Sequence, residues 1–181
     1  RKGEITFYNL DGDEIEKEQK IIEWDAEAAE KGGYEHFMMK EIHEQPKVVA
    51  DTLNSVLKDG EIDLSGVGLS AEEIKNISEI QIVACGSAYH VGMAALREAK
   101  LRGIKTLGIV NVVGSSIARE SDNVFYTLAG PEISVATTKA YSTQLIAMYT
   151  LAVQFAKIRG QISDEQYTGY IEEMQTLPDK I

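Results

Sequence analysis

From Ile80 onward the chain alternates short apolar runs with stretches of helical period, and glycine marks most of the changes. Residues 80–84 read as a buried strand, broken at Cys85-Gly86-Ser87 and followed by a helical pattern over about 89–102. Residues 106–113 read as a second strand, closed by Gly114-Ser115-Ser116. A short helix over 117–120 leads to a third strand over 123–128. After Ala129-Gly130-Pro131 the spacing predicts a long apolar helix over about 138–157, stopped by Gly160, with Ser163-Asp-Glu-Gln166 capping a last helix. Strands joined through helices imply a parallel sheet with right-handed crossovers. The expected fold is therefore α/β, a flavodoxin-like parallel sheet with helices on both faces. Residues 80–84, about 105–112 and about 123–128 are its expected parallel strands.

The front of the chain reads differently. Residues 4–8 and 19–24 are β-prone, and Asp11-Gly12-Asp13 between them signals a hairpin. Two strands alone are barely stable in water, so this hairpin is expected to belong to a larger sheet or to pack on the domain after it. A polar linker ends in Lys31-Gly32-Gly33, where a boundary is placed. Phe37, Met38, Ile42, Val49, Leu53, Val56 and Leu57 then recur at helical spacing. Pro46 interrupts them, which predicts two helices or one kinked helix, with Gln45 pushed out of the α region. Ser70-Ala-Glu-Glu73 is a capping box opening a short helix.

Charge narrows the partners. The 181 residues hold 18 basic and 29 acidic side chains, a net charge of −11 that argues against nucleic acid or an anionic membrane. Residues 1–79 carry 20 acids and 9 bases, whereas residues 80–181 carry 9 of each, so the charge shift falls where the strand–helix alternation begins. No run approaches the ~20 apolar residues of a bilayer span, and a soluble cytoplasmic protein is expected. The lone Cys85 excludes an intrachain disulfide and a cysteine-rich zinc site. Its position after an apolar strand makes it a small buried residue rather than a nucleophile. His36, His43 and His90 form no ligand-like pair, and the acidic residues 11–18 read as a solvated turn. Neither a metal nor a cofactor is expected.

Parallel sheets bind ligands beyond the carboxyl ends of their strands, which singles out the loops at 85–89, 114–116 and 130–138. At Cys85-Gly86-Ser87 glycine permits a sharp turn and serine a helix cap, while free amides at the helix start favour an anion. Taken alone, this is an ordinary strand-to-helix turn. The glycine patterns of dinucleotide and nucleoside-triphosphate sites are absent. Residues 130–139 are richer: Ser134, Thr137, Thr138 and Lys139 precede a long helix. Two readings stand side by side. These donors hold a phosphate or sugar hydroxyls, or they form a helix cap with Lys139 in solvent.

Four runs, in order and over nearly the whole chain, carry a resemblance. They are Gly32-Gly33-Tyr34…His36-Phe37-Met38…Lys40-Glu41-Ile42…Glu44-Gln45-Pro46, then Ala84-Cys-Gly-Ser-Ala-Tyr-His90, then Asn111-Val-Val-Gly-Ser-Ser116…Arg119-Glu-Ser-Asp122, and Ala129-Gly-Pro-Glu-Ile-Ser-Val-Ala-Thr-Thr-Lys-Ala140. Together they resemble the first sugar-isomerase (SIS) subdomain of the glutamine–fructose-6-phosphate aminotransferase family, which forms glucosamine 6-phosphate. The resemblance implies that residues 1–31 are the tail of a glutaminase domain and residues 32–181 the SIS subdomain. It implies a sugar-phosphate partner, fructose 6-phosphate or glucosamine 6-phosphate, and a homodimeric parent enzyme.

By the same resemblance, Gly86 and Ser87 lie beside the phosphate, while Val135, through its backbone, and Thr137 contact the sugar. Ala88 stands where many members have a sugar-contacting serine. The family's glutaminase cysteine and the acid–base residues of its second SIS subdomain have no counterpart here, so no catalytic residue is assigned. Its phosphate loop, Ser-Gln-Ser-Gly-Glu-Thr, is also missing. Met93-Ala94 runs directly into Ala95-Leu96, as though a strand, a helix and a second strand were skipped. A break in chain continuity is expected there, with a Cα separation well above the ~3.8 Å of a trans peptide. The expected function is that of a fragment supplying part of a sugar-phosphate site and inactive alone. The alternative is a non-catalytic SIS module that senses a sugar phosphate.

Overall fold

The computed structural model describes residues 6–16, 30–80, 89–134 and 137–181. Strand β1 (Phe7–Tyr8) pairs antiparallel with β2 (Glu14–Ile15). The hairpin is present, but its second strand lies nearer than the sequence suggests. Asn9 Oδ1 accepts the amides of Asp11 and Asp13 at 3.0 and 2.8 Å, which closes the loop early and returns the chain at Glu14. The expected strand at 19–24 lies outside the described residues.

Helix α1 (Phe37–Asn54) includes Pro46, so of the two expected alternatives the single helix is found, and Gln45 is helical rather than extended. A proline here removes the N–H that would bond the Ile42 carbonyl four residues back. The side-chain amide of Gln45 donates to that carbonyl at 3.3 Å, and the helix continues. After α1, β3 (Leu57–Lys58) and β4 (Glu61–Ile62) form a second hairpin. Asp59 and Gly60 both take positive φ, 51° and 81°, as a tight two-residue turn requires. The Asp-Gly pair was legible in the sequence, and this hairpin was missed there. Helix α2 (Ala71–Asn76) starts at the expected capping box, with Ser70 and Glu73 each bonding the other's backbone N–H.

Helix α3 (Tyr89–Leu101) runs unbroken through residues 93–95. The expected break in continuity is therefore absent: the helical pattern on either side is in phase, so one helix forms across the junction. Strand β5 (Leu107–Val110), helix α4 (Ser116–Glu120) and strand β6 (Asn123–Tyr126) come next. The strands are parallel, in register from Leu107 opposite Asn123 to Val110 opposite Tyr126, as predicted for two of the three expected strands. Residues 81–84 of the third lie outside the described residues, and Ile80 is not in a strand.

A reciprocal clasp sets the start of the parallel pair. The Asp122 carboxylate accepts the Thr106 amide and hydroxyl, both at 2.8 Å, and the Thr106 hydroxyl accepts the Asp122 amide at 3.0 Å. One face of the pair packs on α4, and α3 lies against α4. There, a Cβ on Gly108 would stand 2.8 Å from Ser121 Oγ, so the helix can approach only over glycine. Leu107, Ile109 and Phe125 point the other way, into the core.

That core is built by α1, α5 (Thr138–Ile158) and α6 (Asp164–Gln175), with a final turn α7 (Leu177–Lys180) beside them. Val49, Leu53, Ile146, Ala147, Leu151, Ile171 and Met174 are buried together. Helix α5 starts and stops, and α6 starts, close to where the sequence places them, with Gly160 at φ 67° after α5 and a Ser163–Gln166 capping box before α6. Two polar ties cross the core. The Tyr167 hydroxyl accepts the Ile62 amide at 2.7 Å and donates to Gln154 Oε1 at 2.8 Å. The fully buried Thr52 hydroxyl sits between the carbonyls of Val48 and Thr127, joining α1 to the end of β6.

These contacts predict two outcomes. Thr52→Val keeps the side-chain shape but strips the Thr127 carbonyl of its donor, and should cost about 1–3 kcal/mol in urea unfolding. Lys105 and Ser70 hold the Glu73 carboxyl well down, at about 2. Its folded value is depressed, so its contribution is complete above the ordinary 4.5 and is lost as pH falls towards 2. Unfolding midpoints measured across that window should fall less steeply for Glu73→Gln than for the parent.

Candidate functional site

The loop between β6 and α5 leaves the strands at their carboxyl ends, where a parallel sheet presents ligand sites. Leu128 and Gly130 take left-handed conformations, φ 53° and 70°, and turn the chain over the sheet. Asn111, just past β5, donates its side-chain amide to the Gly130 carbonyl at 2.7 Å. Its Oδ1 is buried and has no donor among the described residues. Asn111 thus fixes the root of the loop to the neighbouring strand.

Helix α1 supplies the remaining anchors from one ridge. Glu41, with 2 % of its surface exposed, accepts the amides of Ile133 and Ser134 through Oε1 at 2.7 and 3.0 Å, and the Ser134 hydroxyl through Oε2. Glu44 accepts the Lys139 ammonium at 2.8 Å, and Lys40 lies 3.5 Å from its other oxygen. Gln45 Oε1 accepts the Ser142 hydroxyl at 2.6 Å. Positions 41, 44 and 45 share a helix face because they are three and four residues apart. Ser134, Lys139 and Ser142, which flank the loop or open α5, meet that face in the same order.

This geometry corrects the reading of the loop's donors. Ser134 and Lys139 turn inward to α1; Lys139 is 2 % exposed and is neither in solvent nor offered to a ligand. Thr138 Oγ1 lies 3.5 Å from Met38 Sδ. Thr137 is exposed at the start of α5 and makes no side-chain capping bond. Of the four residues assigned to sugar-phosphate contact, Thr137 is the one described; Gly86, Ser87 and Val135 lie outside the described residues. The loop at 114–116 is closed on itself. Ser115 caps α4, and the Arg119 guanidinium donates to the Gly114 carbonyl and to Ser116 Oγ. Among the described residues no cluster of His, Cys, Asp or Glu suits a metal ion, and no helix is long and apolar enough to cross a membrane.

Glu41, Glu44, Gln45 and Asn111 were not picked out as site-forming from residue type and spacing. The signal available was the spacing of Glu41, Glu44 and Gln45 at i, i+3 and i+4, which puts them on one face of the predicted helix. Burial alone would raise the Glu41 carboxyl, but the Ser134 hydroxyl, the Ser134 and Ile133 amides and the Lys139 charge hold it below its ordinary value. The neighbouring Glu132 is raised, by desolvation and by the Glu41 charge. Because the Glu41 value is depressed, the tether is complete above the ordinary 4.5 and weakens as pH falls below it. Exchange protection factors at the Ile133 and Ser134 amides should be constant near neutrality and should drop on that acid side.

Comparison with known proteins agrees with this architecture. Residues 93–154 match the SIS domain family. The glutamine–fructose-6-phosphate aminotransferase (isomerizing) of Clostridium tetani is 41% identical over 228 aligned positions, covering 99% of this chain and 38% of that protein. Its namesake from Clostridium acetobutylicum is 42% identical over 225 positions, covering 97% and 37%. That of Methanosarcina mazei is 38% identical over 227, covering 98% and 37%. These alignments exceed the chain's 181 residues by at least 44 positions. A solved structure, the C-terminal domain of glucosamine-fructose-6-phosphate aminotransferase from Francisella tularensis, shares the fold with a TM-score of 0.68 at 28% identity, over 83% of this chain and 56% of that one. The chain thus matches the SIS domain family over residues 93–154 and, spanning under two fifths of its curated relatives' length, is similar over nearly all of its own to the glutamine–fructose-6-phosphate aminotransferases.

Proposed function

We propose that this chain supplies part of the sugar-phosphate site of an enzyme that transfers the amide nitrogen of glutamine to fructose 6-phosphate and isomerises the product to glucosamine 6-phosphate. The observation that carries this is the tethered loop at the carboxyl ends of β5 and β6, in a chain whose relatives bear that enzyme's name. In this reading the phosphate lies at the Gly86–Ser87 turn. The sugar lies against the backbone of Val135 and the hydroxyl of Thr137, which is exposed and makes no capping bond. Residues 1–31 are the tail of a glutaminase domain, residues 32–181 the first SIS subdomain, and the parent enzyme is a cytoplasmic homodimer.

Two features support a shortened site. The alignments with relatives run at least 44 positions longer than the chain, in keeping with an internal segment skipped near residues 94–95. Leu101, Ile104 and Val113, around α3 and the end of β5, are exposed apolar residues that such a segment would cover. Without the serine-rich loop one wall of the phosphate cradle is lost, and no residue of the chain is assigned to ring opening or isomerisation. The fragment alone binds weakly and does not turn over.

Titration of 15N-labelled protein with glucosamine 6-phosphate should shift the amides of Thr137 and its neighbours, with a dissociation constant of about 1 mM or weaker, near −4 kcal/mol. Glutamine and fructose 6-phosphate should yield no glucosamine 6-phosphate. Shifts confined to the far side of the sheet would overturn the site. Micromolar binding or product formation would overturn the shortened-site reading.

A further inference from the structure

Resting on the sugar-phosphate reading above, we propose that Glu41 is a positioning residue for the site: without touching substrate, it fixes the loop backbone at Ile133 and Ser134 that leads to Thr137. Residues 128–134, after β6, lie in no strand or helix that would hold their amides. Glu41 accepts three donors from two consecutive residues lying 92 and 93 positions later in the chain. A carboxylate is suited to this because it accepts through both oxygens and, being ionised, forms stronger bonds than a neutral acceptor. Glu41 is itself buried, with 2 % of its surface exposed.

The anchoring continues beyond the loop. Glu44 holds Lys139 and Gln45 holds Ser142, so the first turn of α5 is set from the same ridge. Thr137 thus lies in the chain between a tether at Ser134 and a tether at Lys139. Helix α1 is itself rigid, because Val49 and Leu53 are buried against the core. A displacement of the loop therefore requires breaking the Glu41 bonds rather than bending the helix.

The test uses the full chain and two readouts, amide exchange at Ile133 and Ser134 and titration with glucosamine 6-phosphate. Glu41→Ala should lower protection at those amides and weaken binding by about tenfold each, the loss of roughly one charge-assisted hydrogen bond. Glu41→Gln should restore both to within about threefold, since its carbonyl accepts the two amides and its NH2 group donates to the Ser134 hydroxyl. Ile171→Val, a core change on α6, supplies a control that lowers global stability and should leave local protection and binding unchanged. Parent-like protection and affinity in Glu41→Ala overturn the proposal. So does a loss that Glu41→Gln fails to restore and Ile171→Val reproduces. If the parent shows no sugar-phosphate shifts, the proposed function fails and the positioning role with it; if the parent binds and Glu41→Ala binds equally, the positioning role alone fails.

Discussion

A carboxylate removed almost wholly from water stays ionised only where donors surround it, and Glu41 meets that condition through groups the loop and α5 bring to it. The dependence runs both ways. Residues 128–134 lie in no strand or helix, so the acceptor on α1 and Asn111 hold their path. The acceptor is tolerable inside the protein only while the loop is in place. Each half of the interface is costly without the other, by about 1–3 kcal/mol for each buried polar group left alone. Helix α1, the loop and the start of α5 therefore form one unit rather than three.

The apolar contacts hold that unit against the sheet. Helices α1 and α5 bury Val49, Leu53, Ile146 and Ala147 together, and Phe125 from β6 extends the same core. Thr52 completes the arrangement by linking α1 to the carbonyl of Thr127, the first residue after β6. At the opposite end of the strands the Thr106–Asp122 clasp sets their register. Hydrophobic burial is non-directional, so it brings these elements together without choosing a register; the hydrogen-bonded clasps choose it.

Some polar residues of the resembling motifs now have structural work. Gln45 replaces the hydrogen bond that Pro46 removes and also receives Ser142. Asp122 closes the clasp, and Asn111 roots the loop. Lys139, which the sequence allowed to be either a ligand donor or a solvated side chain, is neither, because Glu44 lies within 2.8 Å of it inside the protein. Charge and residue type are visible along the chain, but the partner 95 positions away is not.

Local rules carried far where the interaction is local. The capping boxes at Ser70 and Ser163, the limits of α5, the start of α6, and the parallel strands around 107–110 and 123–126 were legible because periodicity, caps and glycine turns act within a few residues. The resemblance was legible for the same reason, as runs of contiguous residues. What failed were judgements in which a local penalty met a local remedy of another kind. Gln45 stays helical before Pro46, because its own side chain supplies the missing donor, and Asn9 draws the first hairpin closed early. The site's supports were beyond reach. Which of several acidic side chains on α1 is buried, and which amides it receives, is decided when α1, α5 and β6 pack. The sequence by itself determined the elements, their order and the kinship; the tertiary structure decided which polar groups face one another, because desolvation acts only on groups that packing has enclosed.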